Sequence, residues 1–144
     1  MTKQSGFTLL EVMIVVAILA IIAAIAVPNY LRSRIQANES SAIQDLRVIG
    51  GAEITYYSAN SSFGSFAELT AAIPEFINAG WVEGREKNGY VFTLPVADQT
   101  NFQCFAEPLS PGNTGVKYFR IDSSGGIRYS LGGPPDDTSP ALGS

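Results

Sequence analysis

Glu11 is the residue whose position first demands a chemical explanation. Residues 12–27, VMIVVAILAIIAAIAV, contain no polar side chain. With Phe7–Glu11 the run reaches 21 residues, which as helix would span roughly 31 Å, about one bilayer hydrocarbon core. An ionised carboxylate in such a run costs about 2.5–3.5 kcal/mol near mid-bilayer and less towards the interface. A group of this kind is seldom found there without a partner, and no Lys, Arg or His lies within helical reach of it. The chemistry it points to is ion pairing with a cation from elsewhere. A cut after Gly6 would create one, the α-amine of Phe7, four residues before Glu11. Every identical copy would carry the same amine.

Other chemistries lack their residues. The chain has no histidine, which removes a Ser-His-Asp triad, a Cys-His dyad, imidazole metal ligation and the commonest general base together. Cys104 is the single cysteine, so no intramolecular disulfide can form and a small extracytoplasmic head must hold by packing alone or by a metal. Cys104 reads as a small buried hydrophobe on a strand. The net charge is −4 and the 9 basic residues are scattered, whereas nucleic-acid binding needs a basic face to neutralise phosphates. The expectation is neither an enzyme nor a nucleic-acid binder, with no cofactor and no metal. A tethered enzyme would need a constellation of nucleophile, base or metal ligands that the chain does not display.

The elements that must position Glu11 follow from periodicity. Residues 1–6, MTKQSG, form a short polar leader. The small-residue break at Ser5-Gly6 precedes the apolar run, whereas a secretory signal is cut after its core. Ala23, Ala24 and Ala26 keep a signal-peptide alternative open. From Asn29 to Ala59 apolar residues recur at Leu31, Ile35, Ala42, Leu46, Ile49 and Ile54, a one-sided stripe at helical spacing, with Asp45 and other charges assigned mostly elsewhere. One helix of about fifty residues is therefore predicted, its first half apolar all round and its second amphipathic. Pro28 marks the junction and predicts a kink. Gly50-Gly51 reads as a second soft point.

The amphipathic half needs a covering surface. Ser65-Phe-Ala-Glu68 is a capping box opening a short helix that Pro74 should end. Period-two alternation through Tyr90–Leu94 and Phe102–Ala106, and a glycine-containing turn between Lys117–Ile121 and Ile127–Tyr129, predict four short antiparallel strands. The tail from Gly132, GGPPDDTSPALGS, lacks apolar periodicity and reads as loop or disorder. The fold class is α+β. The organisation predicted is a leader at 1–6, a membrane-spanning half-helix at 7–28, a head at 29–131 and a flexible tail at 132–144.

Gly6–Tyr30, GFTLLEVMIVVAILAIIAAIAVPNY, closely resembles the N-terminal segment of type IV pilins and of type II secretion pseudopilins. The resemblance covers about the first thirty residues. It implies cleavage after Gly6 by a membrane peptidase that also methylates the amine of Phe7. It implies that Glu11, fifth in the mature chain, pairs with the N-terminal amine of a neighbouring subunit, and that Pro28 is the family's helix-bending proline. The partners implied are copies of the chain itself, the prepilin peptidase and methyltransferase, a pilus or secretion assembly machine, and the membrane. The location implied is the bacterial inner membrane as a single-pass precursor, then an extracellular filament or a periplasmic pseudopilus. The main reading is a pilus-like structural subunit; a secretion pseudopilin and a non-polymerising anchored binding module are the alternatives. Calcium near the C-terminus is common in major pseudopilins. The acidic candidates here are Asp122, Asp136 and Asp137, whose spacing is not that of a calcium loop. The two tail aspartates read as solvated charges.

Overall fold

A computed structural model describes residues 6–143. Of the expected leader, residues 1–5 lie outside the described residues. Helix α1 runs from Leu9 to Asn60 and continues through Pro28. The short helix α2 spans Phe66–Ala71. Five strands follow: β1 Arg85–Lys87, β2 Tyr90–Ala97, β3 Phe102–Pro108, β4 Tyr118–Asp122 and β5 Ile127–Ser130. They form one antiparallel sheet in the order β1-β2-β3-β4-β5. The architecture is α+β, and the chain divides into two units between Arg34 and Ile35.

In the first unit every described residue from Gly6 to Arg34 is exposed. Leu, Ile and Val side chains that water solvates poorly are presented all round the helix. This helix is long and apolar enough to cross a membrane.

In the second unit α1 does have a covered face. The buried residues are Ala42, Asp45, Leu46, Ile49, Gly50, Ala52 and Glu53, spaced as one side of a helix. Of these, Ala42, Leu46, Ile49 and Ala52 join Tyr90, Phe92 and Leu94 of β2, Phe102, Cys104 and Ala106 of β3, and Phe119 and Ile121 of β4 in one core. The stripe is shorter than the periodicity predicts, because Leu31 and Ile54 are exposed. It is also less apolar. Asp45 is buried and accepts from Lys87 Nζ at 2.6 Å, because the ammonium on β1 supplies the charge partner that burial requires. Gly50 is not a soft point. A Cβ there would lie 2.6 Å from Cδ1 of Ile121, so glycine sets how closely helix and sheet approach. Gly51, one residue on, faces open space.

The sheet has five strands where four are predicted. The addition is β1, Arg-Glu-Lys, too polar and short to show alternation. It is joined to β2 by Asn88-Gly89, both at positive φ (49° and 75°), the left-handed pair that a tight hairpin needs. Ser65 caps α2 as predicted: its Oγ accepts from Glu68 N, and Ser65 N donates to Glu68 Oε2 at 2.8 Å. The tail departs from prediction. Tyr129 N donates to Pro140 O (3.1 Å) and Leu142 N to Ile127 O (2.7 Å), so residues 140–142 lie along β5. Arg128 Nη1 adds a bond to Ser139 O at 2.8 Å. Backbone pairing with an edge strand needs no side-chain periodicity, which is why composition alone reads this segment as loose.

Glu53 is the unexpected member of the core. It is fully buried, its Oε2 accepts from Gly64 N at 2.9 Å, and its Oε1 has no partner among the described residues. Burial, opposed by the Gly64 bond and reinforced by the charge of Glu68, pushes its carboxyl up to about 7. Because the folded value is raised, the stabilising state is the protonated one. That contribution is complete below the ordinary value of 4.5 and is lost as pH rises through about 7.

Two sets of expectations follow for the full chain in detergent, read by thermal unfolding. Gly50→Val should destabilise by about 1–3 kcal/mol through overpacking, whereas Gly51→Ala should stabilise by about 0.5–1 kcal/mol; equal effects would contradict the close approach at Gly50. Glu53→Gln keeps an acceptor for Gly64 and cannot ionise. The wild type should lose stability between about pH 5 and pH 8 and the variant should lose less; parallel losses would show that Glu53 does not titrate there.

Candidate functional site

The first turn of α1 holds the chemistry. Thr8 is the residue before the helix and Glu11 lies three positions on. Thr8 N and Thr8 Oγ1 both donate to Glu11 Oε2, at 2.8 and 2.9 Å, and Glu11 N donates to Thr8 Oγ1 at 3.2 Å. This is a capping box, in which hydroxyl and carboxylate satisfy reciprocally the donors that a helix start leaves unpaired. The helix N-terminus adds a favourable field for the negative charge.

The sequence places no Lys, Arg or His within helical reach of Glu11, but it does give it a polar partner. Thr8-Leu-Leu-Glu11 has the same spacing as Ser65-Phe-Ala-Glu68, and that signal was sufficient to find it. The cap holds Glu11 in one orientation through Oε2, while Oε1 takes part in none of these three bonds. The exposed carboxylate can accept from a further donor without giving up its cap.

Gly6 and Phe7 precede the helix and are exposed, Phe7 almost completely at 87%. Gly6, Phe7 and Glu11 are thus gathered at one helix end. Pro28 stands apart, about 25 Å further along the axis at helical rise. It lacks an N–H for the carbonyl of Ala24, and the helix continues through it.

The acidic candidates near the C-terminus have other work. Asp136 Oδ1 closes its own turn, accepting from Thr138 N (2.9 Å), Thr138 Oγ1 (2.7 Å) and Ser139 Oγ (3.0 Å). These bonds, that from the Thr138 hydroxyl foremost, hold its carboxyl below the ordinary range. Asp122 Oδ1 accepts from Ser124 N and Ser124 Oγ, while Oδ2 accepts from Arg120 Nη2 at 3.0 Å. Burial alone would raise the Asp122 carboxyl, but the Ser124 bonds and the Arg120 charge outweigh it and hold it low. Asp137 Oδ1 accepts from Arg120 Nη2 at 2.5 Å. Asp137 is exposed and also pairs with Arg120, a partner that local sequence does not disclose because it is 17 residues away. Among the described residues no group of three His, Cys, Asp or Glu side chains is placed to hold a metal ion. Cys104 is fully buried, and burial, with the charge of Glu83 adding to it, pushes its thiol up and away from reactivity.

Comparison with known proteins bears on this helix end and on the whole chain. Residues 1–27 match the prokaryotic N-terminal methylation motif. A type II secretion system core protein G of Vibrio cholerae serotype O1 is 35% identical over 127 residues, covering 87% of this chain and 84% of that protein. The Klebsiella pneumoniae protein of the same description is 32% identical over 130 residues, covering 87% and 89%. The type IV major pilin protein PilA of Myxococcus xanthus is 37% identical over 73 residues, covering 51% of this chain and 33% of the pilin. An apolar helix opening on a capped glutamate, an antiparallel sheet and these similarities agree: the chain belongs to the type IV pilin and pseudopilin family.

Proposed function

We propose that this chain is made as a single-pass inner-membrane precursor, cut after Gly6, methylated on the amine of Phe7, and polymerised through its N-terminal helix into a type IV pilus-like filament. Its role is structural, with neither catalysis nor a cofactor. Its partners are other copies, the prepilin peptidase and methyltransferase, and the assembly machine. The observation that carries this reading is the Glu11 carboxylate, oriented by its cap on a helix whose apolar surface is exposed among the described residues. Bundling such helices covers that surface and takes Glu11 out of water. A cation must then meet it, and the amine of Phe7 on a neighbouring copy is the one that cleavage supplies.

A buried pair of this kind contributes little net stability, since desolvation offsets much of the attraction. What it fixes is register. A copy shifted along its neighbour leaves a buried charge unpaired, at about 3–5 kcal/mol. Pro28 supports the same role, because bending the helix there would let the apolar part follow its neighbours.

A second reading, a subunit of a type II secretion pseudopilus, is supported by the similarity to core protein G, which extends across the head. The two differ in the phenotype of a deletion strain: loss of surface filaments, or loss of protein secretion.

Intact-protein mass spectrometry should find a mature chain beginning at Phe7 with a methylated amine. A start beyond residue 20 would turn the apolar run into a secretory signal and end the anchor reading. Glu11→Leu should insert into the membrane and yet form few filaments, with Glu11→Gln between it and the wild type. Thr8→Val loses a cap worth about 1 kcal/mol but keeps the carboxylate, so its defect should be the mildest. Electron microscopy with membrane fractionation reads both quantities, and normal filaments from Glu11→Leu would contradict the role of the carboxylate.

A further inference from the structure

The pseudopilin side of the resemblance implies calcium near the C-terminus, and the side chains there do not fit it. Calcium takes about 6–8 oxygens at about 2.3–2.6 Å. The oxygens available are already turned to another cation. The Arg120 side chain, on β4, is only 4% exposed. Its Nη2 donates to Asp122 Oδ2 (3.0 Å) and to Asp137 Oδ1 (2.5 Å), and its Nη1 to Pro135 O (3.4 Å). Two carboxylates and a backbone carbonyl are hard oxygen donors of the kind a divalent ion gathers, and here a guanidinium gathers them. The second oxygen of Asp122 is held by Ser124, and Asp136 is turned into its own loop. A calcium ion brought to Asp122 would meet the fixed positive charge of the buried Arg120 guanidinium at contact distance.

We infer that Arg120 is the chain's built-in replacement for a bound cation, a guanidinium clamp that fastens the C-terminal segment to the sheet without metal. The clamp ties Pro135 and Asp137 to β4. The residues that follow cover the outer edge of β5 through Pro140 O and Leu142 N, while Ser139 O accepts from the Arg128 side chain. An uncovered β5 would present unpaired backbone groups to other copies, the usual route to unwanted edge pairing. Arginine suits the task because its planar fork reaches several oxygens at once and keeps its charge at any physiological pH.

The full-length chain in detergent provides the test, and it needs no filament, so its outcome is separate from that of the proposed function. The thermal midpoint should be the same in excess calcium chloride and in excess EGTA. Arg120→Gln should lower the midpoint by several degrees, about 4 °C or more. Should that variant fail to fold, Asp137→Asn serves, because Asp137 is 86% exposed and its loss removes one arm only. Limited proteolysis of Asp137→Asn, followed by mass spectrometry, should show cleavage within residues 132–144 accelerated on the order of tenfold over wild type. A wild-type midpoint that rises with calcium or falls in EGTA would overturn the clamp, as would an Asp137→Asn tail cleaved no faster than wild type.

Discussion

A carboxylate fixed one turn into an apolar helix is the constraint on which the rest of this protein depends. Lipid and packed apolar side chains solvate it poorly, so it must take its hydrogen bonds and its counter-charge from defined neighbours. Thr8 answers the first need within the chain, through two bonds to a single carboxylate oxygen. The second need is met by no side chain among the described residues, and under the proposed function it is what cleavage of the leader would answer. Only removal of residues 1–6 would place an amine at Phe7, and only another copy would bring that amine to Glu11 in a bundle of parallel helices.

The head works by the opposite rule. From Ile35 onward the polar groups that enter the core meet partners from the same chain: Asp45 with Lys87, Glu53 with Gly64, and Arg120 with Asp122 and Asp137. Aromatic packing fills the space between them, Trp81 lying edge-on to Phe92 with ring centres 5.1 Å apart. Each of these groups has at least one partner within the head, although Glu53 Oε1 has none among the described residues, whereas the described residues before Ile35 are all exposed. A chain built this way directs association to its first helix.

Much of this was legible in the residues. The apolar run, the capped short helix and the alternation through β2 and β3 each carry a strong local signal, and each appears where predicted. Two elements were missed although their signals were present. Asn88-Gly89 is the dipeptide that a tight hairpin favours, and it would have announced β1. Thr8-x-x-Glu11 is a second capping box, whose pattern stands in the sequence beside the more conspicuous lack of a nearby cation. The remainder is tertiary. Nothing local tells that Glu53 rather than Ile54 turns inward, because the face of α1 is chosen by the sheet it meets. Nor does composition disclose that the proline-rich tail supplies a carbonyl and a carboxylate to Arg120.

The central claim is that Glu11 of one copy meets the amine of Phe7 of another. Solid-state NMR of filaments assembled from an equal mixture of two preparations measures this directly, one labelled with 15N at phenylalanine and the other with 13C at the glutamate side-chain carboxyl. An N-terminal amine resonates apart from the backbone amides, so its coupling to a carboxylate on a different copy can be read alone. An ion pair requires dephasing that corresponds to a separation of about 4 Å or less. An N-terminal amine signal that shows no dephasing from the neighbour's glutamate carboxyl would contradict the pairing.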